Sequence, residues 1–180
     1  MFDALIARAA LPADASLVQV VDAVRRMPYG RPAVRSAQGA LSEWRGTCST
    51  KHGLLAAVLA ERWPQTRPRL VHRVYCCTPE AARDRFGAAV ASAVPAEGVW
   101  DVHRYLTAEI EGARVAIDVT YPSAPKWDGA SSMPVAAGAG SDHEAGPDPD
   151  REKRVLEAAH CDPDVRERFI AALSSALAAA

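Results

Sequence analysis

The sequence has little net charge, few aromatic residues and no long apolar run. Its 180 residues carry a formal net charge of −1, and aromatic residues make up 6% of the chain. A near-neutral chain has no electrostatic reason to bind nucleic acid or an anionic membrane. No apolar run approaches the roughly 20 residues of a membrane helix, and residues 1–16 lack the pattern of a secretory signal. We therefore expect a cytoplasmic protein that binds neither nucleic acid nor a membrane.

The cysteines lack the spacing of a disulfide framework or a zinc site. The four positions are Cys48, Cys76, Cys77 and Cys161. Adjacent residues on a strand point to opposite faces, so Cys76 and Cys77 are not expected to act together. No Cys-x-x-Cys or His-Glu-x-x-His pattern is present. We expect reduced thiols, no resident metal and no cofactor.

Helical spacing of apolar residues predicts two helices in the first third of the chain. Ser16 is a suitable N-cap for a helix over residues 17–27. A second helix is predicted over residues 48–63, and residues 33–47 before it are expected to be irregular. Further along, residues 79–93 are rich in alanine and begin with proline, which favours a short helix.

Three segments have the β-branched and aromatic composition of strands. They are residues 69–77, 99–110 and 113–122. Glu111-Gly112 separates the last two, and a glycine-containing pair between such runs predicts a β-hairpin. Helices followed by strands and a terminal helix indicate an α+β fold, with helices packed on an antiparallel sheet.

One domain over residues 1–180 is expected, because this length fits a single ordinary domain. Residues 122–150 are rich in Pro, Gly, Ala, Ser and Asp and have no periodicity. They predict a long loop, which is either a lid over a site or a mobile segment. Residues 151–180 are expected to form C-terminal helices, the last of them opened by Asp162-Pro163.

Cys48 stands in the run EWRGTCSTKHGLLAAVLAERW, at the predicted start of a helix. The N–H groups and dipole of a helix start favour an anion, and they lower the pKa of a cysteine thiol from about 8.5. Gly46 is expected to allow a tight turn and to leave space for a substrate. Lys51 is expected to be solvated, although a cation beside Cys48 would further favour the thiolate. His52 is expected to share a helix face with Cys48 and to shape the cleft or pack near the hairpin. The alternative for Cys48 is a buried structural cysteine.

The predicted hairpin brings a histidine and an aspartate to one face. With a two-residue turn, Ile110 faces Ala113, Tyr105 faces Asp118 and His103 faces Thr120. Side chains alternate along a strand, so His103 and Asp118 become diagonal neighbours. An imidazole can take the proton of a thiol while a carboxylate fixes its tautomer. The alternatives are a surface histidine and a solvated acid. The other face carries the expected core residues Val102, Leu106, Ala108, Ile110, Val115, Ile117 and Val119.

The cysteine in RGTCSTKHGLLAAVLAE, the histidine in DVHRYL and the aspartate in AIDVTYP together resemble the transglutaminase-like superfamily. PYGR followed by GTCSTKH is similar, more narrowly, to a group of bacterial members. The resemblance covers about residues 17–121 and implies a papain-related α+β core. It also implies Cys48 as the nucleophile, His103 as the general base and acid, and Asp118 as the residue that orients His103.

Four further residues are candidates for the oxyanion hole or for substrate binding. They are Tyr29, Gln38, Trp44 and Thr47. The first three also have a plain interpretation as turn or core residues. The chain departs from the superfamily at Ala116 and Ile117, where members often have an aromatic residue before the aspartate.

The resemblance implies a thiol-dependent hydrolase or acyltransferase that acts on a peptide or a small amide or ester. Hydrolysis is favoured, since no pocket for an acceptor amine can be inferred. The superfamily also contains inactive scaffolds, so a non-catalytic binding module is an alternative. A zinc set of Cys48, His52, His103 and Asp118 is a further alternative. An arylamine N-acetyltransferase is disfavoured because the chain is short and has no evident coenzyme A site. The sequence does not determine the oligomeric state.

Overall fold

A four-stranded antiparallel sheet and eight α-helices make up the computed structural model, which describes residues 1–178. The helices are α1 (Phe2–Arg8), α2 (Leu17–Arg26), α3 (Ala37–Glu43), α4 (Cys48–Arg62), α5 (Pro79–Phe86), α6 (Ala88–Ala91), α7 (Pro149–His160) and α8 (Pro163–Ala178). The strands are β1 (Arg69–Cys77), β2 (Val99–Ile110), β3 (Ala113–Ile117) and β4 (Gly140–Glu144), and their order in the sheet is β3-β2-β1-β4. The predicted α+β class is confirmed. The last two residues of the predicted C-terminal helices, 179–180, lie outside the described residues.

The chain divides into two compact units. Unit 1 contains Met1–Val71 and Arg104–Ala136, and unit 2 contains His72–His103 and the chain from Ala137 onward. Strands β1 and β2 each contribute residues to both units. The single domain over residues 1–180 stays a prediction.

Local capping interactions define the helices of unit 1. Ser16 Oγ accepts the N–H of Gln19 at 3.3 Å, and Gln19 Oε1 accepts the N–H of Ser16 at 2.8 Å. This reciprocal pair is a capping box, and it begins α2 where the sequence predicts. Thr47 is the N-cap of α4, and its N–H donates to Thr50 Oγ1 at 3.1 Å. The fully buried core of this unit includes Leu5, Val20, Val24, Met27, Leu54, Leu55, Val58, Leu59, Leu106 and Ile117.

The β2–β3 hairpin has the predicted register. Ile110 lies opposite Ala113, and Leu106 lies opposite Ile117. Glu111 and Gly112 have φ angles of 50° and 82°. Two positive φ angles at the centre of a two-residue loop are typical of the type I′ turn, whose twist matches that of the flanking strands. This turn therefore sets which residues face each other along the hairpin.

The predicted strand over residues 113–122 is too long, because β3 ends at Ile117. Beyond that residue the backbone bonds to other partners. The Val119 N–H donates to His52 Nε2 at 3.0 Å, and the Thr120 N–H donates to Asp118 Oδ1 at 3.0 Å. The chain thus leaves the sheet directly before Asp118.

Three further assignments from the sequence are corrected. Residues 33–47 contain α3, whose N-cap Ser36 accepts the Gly39 N–H at 3.0 Å. Residues 122–150 contain the edge strand β4. Residues 79–93 form the two helices α5 and α6, because Gly87 between them has a φ of 88° and interrupts the helical path. The first two elements are short and depend on tertiary partners, which propensity alone does not register.

Unit 2 is built around α8, which packs against α5 and α6. Phe169, Ile170 and Leu173 on α8 are buried. Within residues 1–178, no helix has both the length and the apolar character needed to cross a membrane.

Four charged side chains in unit 2, which we name the Asp101 cluster, join β2, α7 and α8. They are Asp101, Lys153, Glu157 and Arg166. Arg166 donates to Asp101 Oδ1 at 2.5 Å and to Glu157 Oε1 at 2.9 Å, and Lys153 Nζ lies 3.6 Å from Glu157 Oε1. Burial alone would raise the pKa of Asp101, but the charges of Arg166 and Lys153 outweigh it and lower that pKa.

Candidate functional site

Cys48 is the first residue of α4, as the sequence predicts, and its side chain is half-buried. Its Sγ atom lies 3.9 Å from Ser49 Oγ. The first turn of a helix directs N–H groups toward its start, and the helix dipole favours negative charge there. All four cysteines are free thiols. The position therefore suits a thiolate nucleophile.

The turn after α2 lies beside the residues that precede α4. Tyr29 and Gly46 form an isolated parallel bridge. The Gly30 N–H donates to the Gly46 carbonyl at 3.3 Å, and the Gly46 N–H donates to the Pro28 carbonyl at 3.1 Å. Tyr29 is buried, and its ring centroid lies 5.5 Å from that of Tyr121. Tyr29 is thus brought to the loop from which α4 begins.

The other candidates for the oxyanion hole lie on or between α3 and α4. Gln38 is exposed on α3, and its carbonyl accepts the Ser42 hydroxyl. Trp44 is the C-cap of α3 in the left-handed conformation, and its half-buried side chain packs against the core of unit 1. Thr47 is the residue directly before Cys48 and caps α4. Tyr29 and Thr47 therefore flank the thiol-bearing turn, and the roles of all four candidates stay predictions.

Lys51 is fully buried, so the expectation of a solvated lysine is wrong. Its Nζ donates to the carbonyl oxygens of Arg25, Met27 and Thr120 at 2.8, 2.9 and 3.0 Å. Burial lowers the pKa of Lys51 from 10.5 to about 7, although the negative charge of Asp118 raises it in part. The burial of Lys51 could have been predicted from the helical spacing, because Lys51 shares a face of α4 with the buried Leu54, Leu55 and Val58.

The space beside Gly46 is filled by side-chain atoms of Lys51 and Thr50, so the expectation that it leaves space for a substrate is wrong. A Cβ atom at Gly46 would lie 2.7 Å from Lys51 Cγ and 2.8 Å from Thr50 Oγ1. Both distances are shorter than side-chain contacts allow. A glycine is needed at position 46 because the aliphatic part of the Lys51 side chain lies against its backbone.

His52 links the start of α4 to the chain after β3. Its Nε2 accepts the Val119 N–H at 3.0 Å, so this nitrogen carries no proton. The proton is therefore on Nδ1, which donates to the Cys48 carbonyl at 2.7 Å. The same Nε2 lies 3.5 Å from Asp118 Oδ1. His52 is thus a neutral imidazole that fixes the backbone of Cys48 relative to Asp118.

Asp118 is buried, so the alternative of a solvated acid near a turn is wrong. Its Oδ1 accepts the Thr120 N–H at 3.0 Å, and its Oδ2 accepts the Ala136 N–H at 2.7 Å. Two N–H donors and the nearby ammonium of Lys51 stabilise a negative carboxylate. We name Lys51, His52 and Asp118 the Lys51 cluster. Of these three, the sequence analysis made only Asp118 a catalytic candidate, whereas it named His52 as a possible zinc ligand and expected Lys51 to be solvated.

His103 lies on β2 and is 4% exposed, so it is not the surface strand histidine of the alternative interpretation. It is the last residue of its segment of unit 2, whereas Cys48 and Asp118 belong to unit 1. The hairpin register is confirmed between residues 106–110 and 113–117. The pairing of His103 with Asp118, which extends that register, stays a prediction.

A metal site is not formed by the residues that the structure describes. Among them, no group of three or more His, Cys, Asp and Glu side chains could hold a metal ion. Both ring nitrogens of His52 are engaged by backbone groups, one at the Cys48 carbonyl and one at the Val119 N–H. The zinc alternative loses one of its four proposed ligands for this reason.

The comparisons with known proteins provide no relative from which a function could be transferred. The chain matches no protein-family model, no curated protein and no solved structure. The residues around Cys48 are therefore the basis for a functional proposal.

Proposed function

We propose that the protein is a cysteine-dependent enzyme that hydrolyses or transfers the acyl group of an amide or ester. The observation that carries this proposal is the half-buried thiol of Cys48 at the first residue of a 15-residue helix. The carboxylate of Asp118 supports it, because this group is buried and bonded to two backbone N–H groups. The resemblance of the Cys48, His103 and Asp118 segments to the transglutaminase-like superfamily agrees with the same chemistry.

In the proposed reaction, the Cys48 thiolate attacks the carbonyl carbon of the substrate. A sulfur–carbon bond forms, and the carbonyl electrons move onto oxygen, where N–H groups at the start of α4 stabilise the charge. His103 holds the thiol proton and gives it to the leaving amine or alcohol as the carbon–nitrogen or carbon–oxygen bond breaks. Asp118 orients His103 and stabilises its charged form.

The thioester is then resolved by water or by an amine. Water gives one proton to His103 as its oxygen bonds to the carbonyl carbon, and the sulfur–carbon bond breaks to release a carboxylic acid. Hydrolysis is the favoured outcome, with a peptide or a small amide or ester as substrate. A reducing cytoplasm is the proposed location, since it keeps four free thiols reduced.

Acylation by p-nitrophenyl acetate tests the proposal without knowledge of the natural substrate. We expect a burst of p-nitrophenolate and an acetyl group on Cys48, located by peptide mass spectrometry. Cys48→Ser abolishes the burst, whereas Cys161→Ser retains it, because burial raises the pKa of Cys161 to about 11 and leaves little thiolate there. A wild-type protein that forms no acetyl-Cys48 overturns the proposal and favours a binding module.

The role of His103 is tested by the pH dependence of iodoacetamide alkylation at Cys48. In the wild type we expect the midpoint of the alkylation profile to lie below about pH 8.5, which is the pKa of an ordinary cysteine thiol. His103→Ala shifts the midpoint of this profile to higher pH, whereas the control His143→Ala, at an exposed strand position, leaves it unchanged. A midpoint that does not respond to His103 removes this residue from the mechanism.

A further inference from the structure

We propose that Lys51 is a positioning residue for the Cys48 site. Its ammonium ties the end of α2, the turn that carries Tyr29 and the segment that follows Asp118 to the first turns of α4. The inference rests on the proposed function, because it assigns Lys51 a task in a site where Cys48 reacts. It adds a residue that the sequence analysis treated as solvated.

The number of acceptors matches the number of donors on a charged lysine. An ammonium has three N–H bonds, and the three carbonyl oxygens of Arg25, Met27 and Thr120 lie 2.8 to 3.0 Å from Nζ. The neutral amine has only two N–H bonds, so one buried carbonyl would lose its donor. The Lys51 side chain is fully buried and has no contact with bulk solvent. The charged form is therefore the one that holds all three segments.

Each of the carbonyls belongs to a segment that borders the site. Met27 is two residues before Tyr29, whose backbone pairs with Gly46. Thr120 stands between Asp118 and Tyr121, and the rings of Tyr29 and Tyr121 contact each other at 5.5 Å. A single ammonium thus fixes the aromatic pair and the carboxylate relative to the helix that starts at Cys48.

Charged and titratable side chains near Lys51 come from several elements. Arg25, with its ion-pair partner Asp22, lies on α2, Asp118 follows β3, and His52 is the next residue of α4. On β2, Arg104 donates to the carbonyl of Ser49, two residues before Lys51. Asp118 favours the ammonium, whereas burial and the positive charge of Arg25 oppose it and bring the pKa of Lys51 to about 7. The tether is consequently sensitive to pH near neutrality.

Lys51→Met tests the inference, with Lys126→Met as the matched control. Methionine retains the apolar stem and removes the donors, and Lys126 is an exposed lysine of the same unit. We expect the rate of acetylation of Cys48 by p-nitrophenyl acetate to fall about 10- to 100-fold in Lys51→Met, since small misplacements have such effects. The rate of Lys126→Met equals that of the wild type.

Nuclear magnetic resonance provides a readout that does not depend on the reaction. In the wild type, the Lys51 Cε resonance and the backbone amide shifts of Tyr29 and Tyr121 should titrate with one common midpoint near pH 7. In Lys51→Met the amide shifts should lose this titration. If Lys51→Met does not fold, the wild-type titration alone tests the inference, because the Tyr29 and Tyr121 amides either share the midpoint of Lys51 or do not.

The outcomes separate the inference from the proposed function. A wild type that is not acetylated overturns the proposed function, while the common titration of Lys51, Tyr29 and Tyr121 still supports the tether. Amide shifts that do not follow Lys51, or that titrate equally in Lys51→Met, overturn the positioning role. Unchanged acetylation of a folded Lys51→Met protein overturns it as well.

Discussion

The two units each bury charged groups, but they satisfy them in different ways. In the Lys51 cluster of unit 1, each of the three side chains bonds to backbone groups: Lys51 to three carbonyls, His52 to a carbonyl and an N–H, and Asp118 to two N–H groups. In the Asp101 cluster of unit 2, side chains pair with side chains. Bonds to the backbone fix the path of the chain, whereas ion pairs between side chains hold whole elements against one another.

This difference agrees with a reactive site beside the Lys51 cluster and a structural role for the Asp101 cluster. A reactive site needs its loops held in one conformation, and backbone acceptors around a buried charge achieve this. The Asp101 cluster joins a strand and two helices, and it is expected to stabilise the folded protein. Substitutions in the two clusters test this distinction.

Removal of Arg166 should break the Asp101 cluster with the largest loss of stability. Arg166→Met leaves the carboxylate of Asp101, whose side chain is 7% exposed, without its closest cation. A buried charge deprived of its partner costs about 3 kcal/mol or more. Urea unfolding should show this loss in the free energy of unfolding, while alkylation of Cys48 remains at the wild-type rate.

The control for Arg166 is an ion pair at the surface. Arg114 pairs with Glu109 at 2.9 Å, and both side chains are substantially exposed. Arg114→Met should cost less than about 1 kcal/mol, because solvent already screens this pair. Equal losses in the two variants would remove the distinction between buried and surface pairs in this protein.

The pH dependence of stability should reveal the buried Lys51 of the other cluster. Its pKa is about 7 in the folded protein and 10.5 when exposed, so the unfolded chain binds more protons between these values. Stability therefore rises with pH in this window, by about 2 kcal/mol from pH 7 to pH 9. Urea unfolding of the wild type should show the rise, and Lys51→Met should lack it.

The rise of stability with pH has the opposite sign to the effect of pH on the site. Deprotonation of Lys51 stabilises the fold while it removes one of the three bonds to carbonyl groups, so stability and the order of the site respond to pH in opposite directions. The control Lys126→Met should keep the wild-type rise. A rise that persists in Lys51→Met must come from other groups, and Lys51 would then keep its proton.

Two glycines beside and within α4 should have opposite effects on stability when they are replaced by alanine. Gly46→Ala places a Cβ 2.7 Å from Lys51 Cγ and should lower the free energy of unfolding by about 1 to 3 kcal/mol. Gly53→Ala meets nothing within 4 Å and lies inside the helix, so it should raise stability by about 1 kcal/mol. The midpoints of thermal unfolding of the two variants test both expectations. A stabilising Gly46→Ala would show that the Lys51 side chain moves aside without destabilising the protein.

Local features could be predicted from the sequence because their causes lie within a few residues. Ser16 and Gln19 begin α2, Thr47 begins α4 at Cys48, and Glu111-Gly112 sets the hairpin register. Each is a capping or turn interaction that requires no distant partner. The location of Cys48 on a helix start follows from the same local signals.

Elements that depend on distant contacts were predicted wrongly or not at all. β4 has the sequence GSDHE, which has no strand preference, and it exists because it lies next to β1, where Arg73 pairs with Asp142 at 2.7 Å. α3 is seven residues long and contains Gly39, yet its Ala40 and Leu41 are buried in the core of unit 1. Tertiary burial overrides weak propensity in both cases.

Local sequence signals are sufficient to predict the α+β class, the helix that begins at Cys48 and the register of the hairpin before Asp118. They do not show that Lys51 and His52 are buried or that backbone groups satisfy them, which depends on the folded chain. The reason is physical: a helical pattern states which face a residue occupies, whereas the cost of burying a charge is met by carbonyls far away in the chain, 24, 26 and 69 residues from Lys51.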